Sequence, residues 1–578
     1  MKKVLAIILT LVMIISAVPV SFAAEAADSD LVAQWSFDVL NEDNTVDDLS
    51  GNGNTLTLQD SAYAIVDGFS GKTFDFNSAT DTSYDNSKHL AMSSDSFVQQ
   101  INGSSAITIT AFMKKEVKGS STNFTMFALN AGSNSIMMYS QAAKLAVSCR
   151  SNYSSASVAT TADVIYPNAD DESAPDSWMH VALVIDYAGD NVKIYADGVL
   201  VGEEKVQDSQ TFATDYADYK TDVNDIATGW FGVGGRHVLV DEVKVYKREL
   251  SQNEIKESIP AILSYDFEEV CDGKIKDQSA HGMDITVDAT DSPAVIEGVH
   301  GNTIALTKTA HFPADTFAGM LYGAKEFAVS AWVKFPEGTG TAPNTELHIL
   351  NDEIGSASKA KGFSFSFKGR NGYFGLRSRN STSSCDSMGY VQAANVRSMH
   401  GDTEWRHVYI EADIANKTGK VYWDGVLKET AVSSLSNLGL GYMNLTPDGT
   451  ADTLNLNATL PIYIDSLNIY RRTLTEKEIA RVAGTPYIFS QDESSVSVEC
   501  YPENISGIEE GAQLILAMYD GSKALKDCSI AKVNDVNAAV SLALSEIDVP
   551  ANYNYQLFIL KSMESLTPVQ EAVSYTAQ

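Results

Sequence analysis

Aromatic rings and planar hydrogen-bond donors recur together in the loop-rich parts of this chain. Tyr84, His89, Arg150, Asn152, Tyr153, Trp230 and His237 stand in the first half. Arg377, Arg379, Asn380 and Tyr390 are their loose counterparts further on. Aromatic faces stack on pyranose rings, while Arg and Asn bond hydroxyls, so this mixture suits sugar recognition on loops at the rim of a rigid scaffold. The bland alternative is a polar loop surface that binds nothing, since Ser, Asn and Tyr are common on any secreted domain.

Trp178 with His180, and Trp405 with His407, form a second constellation. Residues two apart on a strand face the same side, so each pair could stack on a sugar. The favoured reading is core: a Trp packed inside, with a His ring hydrogen-bonded beside it. For catalysis the signals are poor. Asp241 and Glu242 are adjacent, which on a regular strand sends them to opposite faces. Asp47 and Asp48 sit in a loop, and no G-x-S-x-G elbow frames a serine nucleophile.

The elements that must position these residues are strands. In WMHVALVIDYAGDNVKIYADGVLVG (178–202), Val181, Leu183 and Ile185 alternate with Ala182, Val184 and Asp186, the period of a pleated strand. Ala188-Gly189-Asp190-Asn191 turns the chain, and Asp197-Gly198 turns it again. A second copy, WRHVYIEADIANKTGKVYWDGVLKE, starts at Trp405 with the same Trp-to-Asp spacing of 19 residues. Five blocks recur in the same order. They include DGFSGKTFDF (67–76) with EGVHGNTIAL (297–306), and VDEVKVYKRELSQNEI (240–255) with IDSLNIYRRTLTEKEI (464–479). A repeat of this kind is a duplicated domain. Short alternating strands divided by Gly, Asn, Asp and Ser favour an all-β antiparallel sandwich in each copy. The tail holds five further strand candidates without the Trp hairpin, which suits a small immunoglobulin- or fibronectin-like sandwich. The expected division is 1–23, 28–258, 260–485 and 487–578.

Residues 1–23 read as a secretory signal peptide: Lys2 and Lys3, an apolar run, then Ser21-Phe22-Ala23 with small residues at −3 and −1. No later stretch is apolar enough to span a bilayer. The expected location is extracellular. The net charge of −34 excludes nucleic acid or an anionic membrane as a partner, because no basic cluster interrupts it. The acidic surplus also leaves carboxylates for a hard cation such as Ca²⁺. The five cysteines show no C-x-x-C spacing, and Cys500 with Cys528 is the one plausible intradomain pair.

Taken in order, WSFD, DLSGNGN, GxxGKTFDF, ITITAFMK, WxHVALVxD, VKIYADGVLVG and DEVKVYKRELSxxEI resemble the laminin-G-like jelly-roll domains of the concanavalin-A-like lectin and glucanase superfamily. The likeness covers nearly all of both copies. The tail looks like the small sandwich modules that follow binding domains in secreted clostridial proteins. The resemblance implies two antiparallel jelly-roll β-sandwiches followed by the small sandwich. It also implies a structural Ca²⁺ between the first and last strands of each jelly roll. Asp38 and Asp241 match its acidic ligands, with backbone oxygen from Gly51 or Asn52. Asp266 and Asp465 match in the second copy, with Ala280 or His281 in the loop. The hydrolase branch carries an acidic strand of the form E-x-D-x-x-E, and neither copy has one. Three functions follow as expectations. The first is a secreted non-catalytic protein that binds an extracellular glycan. The second is a structural or adhesive protein that binds a cell-surface protein, and the third, a glycoside hydrolase, is the weakest.

Overall fold

In the computed structural model the described residues run from Asp30 to Thr576. They exclude 60–62, 77–88, 102, 116–123, 132–133, 142–143, 152–153, 160–177, 190, 206–228, 236, 314–319, 322–323, 335–345, 352–361, 369–372, 380–387, 394–403, 414–415, 417, 430, 434–454, 457–462, 492–494, 521, 537, 545–553 and 564. Among the described residues the regular structure is mostly strand, and the strands pair antiparallel, as the alternating pattern leads one to expect.

The first copy is built on six strands: β1 (Leu31–Trp35), β2 (Ala106–Lys115), β3 (Met179–Asp186), β4 (Asn191–Ala196), β5 (Val199–Lys205) and β6 (Val238–Tyr246). They pair in the order β1-β6-β2-β3-β4-β5. The second copy repeats this with β7 (Leu263–Tyr265), β8 (Glu326–Lys334), β9 (Arg406–Asp413), β10 (Thr418–Trp423), β11 (Val426–Glu429) and β12 (Tyr463–Tyr470), in the order β7-β12-β8-β9-β10-β11. Among the described residues an eight-stranded sheet accompanies the first and a nine-stranded sheet the second.

Ile107, Ile109 and Ala111 of β2 face the first core together with Val181, Leu183 and Ile185 of β3. The expected apolar-in, polar-out alternation is only half the pattern. Ala182 and Val184 are buried on the outer face too, under Leu250 and Ile255. Those two come from the segment around the short helix Gln252–Glu257, which Ser251 and Glu254 start with a reciprocal capping box.

Both jelly-roll copies fall in one compact unit, Ser29–Thr475, and the residues from Glu476 onward belong to another. Within the first unit the copies are tied by buried polar contacts. Arg471 Nε donates to Asp197 Oδ2 at 2.7 Å, and Arg472 Nε donates to the Ile259 carbonyl at 2.7 Å. Lys256 Nζ reaches both Glu326 carboxylate oxygens and the Thr473 hydroxyl. In the C-terminal unit, Tyr487–Gln491, Val496–Cys500 and Val540–Leu544 form one sheet. Leu525–Lys532, Gln513–Tyr519, Asn554–Leu560 and Val573–Thr576 form the other. Cys500 lies in the core shared by the two sheets, whereas Cys528 packs with Ile515 and Phe558 in a separate cluster. Both are free thiols.

Candidate functional site: a cleft between the repeats and the carboxylates beside it

The hairpin Ala64–Asp67 to Lys72–Asp75 turns through Gly68-Phe69-Ser70-Gly71, and two carboxylates hold that turn. Asp38 Oδ1 accepts the Lys72 N–H at 2.8 Å, and Asp241 Oδ2 accepts the Ser70 N–H at 3.1 Å. The glycines are required by this approach. A Cβ on Gly68 would stand 2.5 Å from Asp241 Oδ2, and one on Gly71, at φ +58°, 1.8 Å from Asp38 Oδ1.

Asp241 and Glu242 do not alternate across the sheet as neighbours on a regular strand would. The β6–β2 register slips between Asp241 and Lys244, and Glu242 takes φ +50°. This bulge lets Asp241 reach the turn while Glu242 lines the cleft beside it. Asp241 is fully buried and is answered by the N–H groups of Ser70, Glu242 and Phe69. Burial is the largest influence and pushes its carboxyl up to about 8.

The second copy repeats the device, but not with the residues that identity matching selects. Phe37 and Phe267 both hold positive φ, at +61° and +58°, two residues past the end of the first strand of each copy. The pairings Trp35↔Val243 and Tyr265↔Leu467 give the same alignment. WSFD therefore superposes on YDFE, two residues later than the match to LSYD. Glu268, not Asp266, occupies the place of Asp38, and its Oε2 accepts the Asn302 N–H at 3.0 Å. Asp266 instead accepts from the Gln278 amide and the Glu268 N–H. Asp465 does what Asp241 does, accepting the Val299 N–H at 2.7 Å.

Gly51 and Asn52 stand apart from Asp38 and Asp241. The Asn52 amide donates to the Leu31 and Val32 carbonyls at the start of β1, whereas Asp38 follows its end. The loop carrying them is organised by Asp48, which accepts the N–H groups of Gln34, Ser50 and Asn54. Asp277 performs the same task in the second copy. Among the described residues no group of three or more His, Cys, Asp or Glu side chains converges on a metal position.

His180 and His407 are interior residues. His180 lies edge-on to Phe112 at 4.9 Å, and His407 Nε2 is 2.9 Å from Ser330 Oγ. Burial holds both rings neutral, with values lowered to about 3. Asp197 and Asp424, both at positive φ, accept the backbone N–H of His180 and His407. Trp178 is only half-buried and meets the edge of Phe69, and the Trp405 indole donates to the Glu297 carbonyl.

Of the rim residues, Tyr84, Asn152, Tyr153 and Asn380 lie outside the described residues. His89 is buried and stacked on Phe76 at 4.6 Å, while His237 occupies the turn before β6 at φ +69°. Arg150 is on the strand Lys144–Ser151 opposite Ser155, and Trp230 is paired with Ser93 and Asn130. Arg377 and Tyr390 are direct cross-strand partners, and Arg379 is opposite Met388.

The concavity that does emerge was not anticipated from the residue pattern. A cleft of about 370 Å³ lies between the copies. One wall is the outer face of the first six-stranded sheet, through Thr110, Phe112, His180, Glu242 and Lys244. The other is the junction Glu257–Ala261 and the loop Gln278–Ala280 of the second copy. Phe69 stacks on Phe112 with centroids 3.6 Å apart, and His281 of the second copy meets its edge at 5.0 Å. Of its lining residues the sequence singles out His180, expected in the core, Asp241's neighbour Glu242, and Ala280, expected beside a cation.

Comparison with known proteins settles the family. The laminin-G-like model of the concanavalin A-like lectin/glucanases superfamily matches residues 85–256 and again 306–480, more than half of the chain. The chain belongs to that superfamily. Its superfamily domain is present twice, in agreement with the repeated strand order. No curated protein matches.

Solved structures similar to this superfamily member include the botulinum neurotoxin serotype C1 binding domain, at 10% identity and TM-score 0.31, covering 75% of this chain and 100% of that one. The binding domain of botulinum neurotoxin DC in complex with rat synaptotagmin II has 10% identity and TM-score 0.33, with the same coverages. The Ruminococcus gnavus IT-sialidase CBM40 bound to α2,6 sialyllactose has 12% identity and TM-score 0.22, covering 29% of this chain and 90% of that one. Likenesses this distant carry no conclusion about ligands.

Proposed function

We propose that this chain is a secreted, non-catalytic glycan-binding protein with tandem jelly-roll modules and a small immunoglobulin-like sandwich after them. The observation that carries the reading is the use made of the acidic residues in a lectin/glucanase domain. Glycoside hydrolysis requires two carboxyl groups free to face one scissile bond. Here Asp38 and Asp241 both bind the backbone of the Gly68–Lys72 turn, and Glu268 and Asp465 do so in the second copy. They serve the scaffold. The signal-like leader supports export, and no described helix is long and apolar enough to cross a membrane.

A structural Ca²⁺ beside the same turns is part of this proposal. Burial, which raises Asp241 despite the N–H groups that favour its charge, is relieved either by a proton or by a cation. Asp38 and Asp241 would hold the ion in the first copy, and Glu268 and Asp465 in the second. The ion would supply positive charge that fixes the first and last strands against the hairpin. A hard cation takes six to eight oxygens, so backbone carbonyls must complete the set.

An array of plant, bacterial and host glycans probed with the full mature chain tests the reading. Selective retention of at least one glycan is expected. A blank array would replace glycan binding with the adhesive alternative.

A further inference from the structure

The cleft between the two jelly rolls holds a chemistry that neither copy has alone. We propose that it is the glycan-binding site, and that it takes the neutral end of a saccharide about one to two rings long. This inference rests on the glycan-binding reading and specifies where and what the protein binds.

Size is the first argument. About 370 Å³ lies at the lower end of the range in which protein clefts enclose small ligands, enough for a terminal mono- or disaccharide and too little for several rings side by side.

The lining is the second argument. Thr110 brings a hydroxyl, Glu242 a carboxylate, Lys244 an ammonium and Gln278 an amide, while the Ser279 hydroxyl is held by Asp277 within its own loop. Such alternation of donors and acceptors over a short span matches vicinal hydroxyls, each of which donates once and accepts twice. The Gln278 amide nitrogen donates to Asp266 Oδ2 at 3.0 Å, which leaves its carbonyl oxygen to accept from a ligand hydroxyl. His180 also lines the cleft, is 2% exposed, and its Nδ1 has no hydrogen-bond partner among the described residues. A buried ring nitrogen left unpaired is costly, and a ligand hydroxyl would satisfy it. Burial together with the nearby Lys244 and Arg472 charges keeps that ring neutral, able to accept.

Charge decides the class of sugar. Glu242 and Glu257 line the cleft, Glu242 from the first sheet and Glu257 from the junction, and Lys244 is the one cation among the lining residues. Carboxylates outnumber the cation, so a sialic acid or uronic acid would bring a like charge into a partly desolvated space. A neutral hexose carries no such penalty.

Glu242 is also held at φ +50°, a conformation that strains a residue with a side chain. The second copy keeps the same backbone but has Ser466 there, at φ +49°. The strained backbone is therefore common to the repeats, while the carboxylate in the cleft is peculiar to the first.

The test uses the full mature chain and the strongest neutral ligand from a glycan array, titrated by calorimetry. Glu242→Gln, Gln278→Ala and Ala280→Trp, the last an exposed loop residue whose enlargement fills the cleft, are each expected to weaken binding about tenfold or more. Their melting temperatures should stay near that of the wild type, which separates loss of the site from loss of the fold. Sialylated or uronate-bearing analogues of the same ligand should bind more weakly than the neutral one. A neutral glycan that binds all three variants with unchanged affinity overturns the cleft while leaving glycan binding intact. Preference for the acidic analogue overturns the class of sugar. Failure to bind any glycan overturns both this inference and the function on which it rests.

Discussion

The Asp197 carboxylate of the first jelly roll accepts the Arg471 guanidinium of the second at 2.7 Å, with the two side chains only 3% and 5% exposed. Asp197 is also the turn residue whose other oxygen accepts the His180 N–H. One carboxylate thus closes a hairpin and joins two domains. Its partner in the second copy, Asp424, keeps the first task but meets the half-exposed Arg406 of its own domain instead. The repeats are equivalent in their turns and different in what those turns hold.

Removing one member of a buried pair leaves the other charge without compensation, a loss of about 3–5 kcal/mol. Arg471→Ala should therefore destabilise the unit that contains both jelly rolls far more than Arg406→Ala, whose exposed pair is worth at most about 1 kcal/mol. All six tryptophans lie before Thr475, so indole fluorescence during urea unfolding of the full chain reports on this unit. Equal effects of the two substitutions would show that Arg471 contributes nothing special to the junction.

Asp241 gives a pH signature. Its carboxyl is raised in the folded protein, to about 8, by burial. The unfolded chain then releases its proton near pH 4 while the folded chain retains it. Its contribution to stability is complete below pH 4 and is lost as pH rises toward 8. In chelator, Asp241→Asn cannot titrate, so its stability should fall less than that of the wild type between pH 5 and 8.

Calcium should reverse the ranking. An ion bound only by the folded state adds about 2.7 kcal/mol at a hundredfold excess over Kd. Millimolar Ca²⁺ should raise the wild-type melting temperature by a few degrees, more than Mg²⁺ does, and should raise that of Asp241→Asn much less. Equal shifts with the two ions, or an undiminished calcium response in the variant, would leave the proton as the sole partner of Asp241.

The histidines carry the opposite sign. His180 and His407 are lowered to about 3 by burial, so the unfolded chain takes up protons near pH 6.5 that the folded chain refuses. The stability these rings provide is present above pH 6.5 and is lost as pH falls toward 3. Histidine ring resonances in NMR spectra should include two that do not move between pH 5 and 8. Titration of either buried ring in that interval would contradict their placement.

Much of the fold was legible because strand periodicity and turn residues are local properties. The Trp-to-Asp hairpins, their matching histidines and the duplicated strand order all follow from patterns within about 25 residues. The register of the first strand was not legible in the same way. Matching side chains favours Asp38 with Asp266, yet the backbone is set by positive φ at Phe37 and Phe267, a conformation that no aromatic residue advertises. The bulge at Glu242 is hidden for the same reason. Long-range use was also invisible: nothing near Asp197 indicates that Arg471, 274 residues later, will reach it. The cleft belongs to this last class, since its walls come from residues near 110, 242 and 279 that meet only when the two jelly rolls pack.

Binding without turnover is tested in both halves by one measurement. The full mature chain is incubated with the polysaccharide it retains best, the bound fraction is recovered, and the chain length of the glycan is determined by mass spectrometry. Retention of glycan at its original length over many hours is the predicted result. Shortened chains that accumulate in proportion to protein would contradict the account.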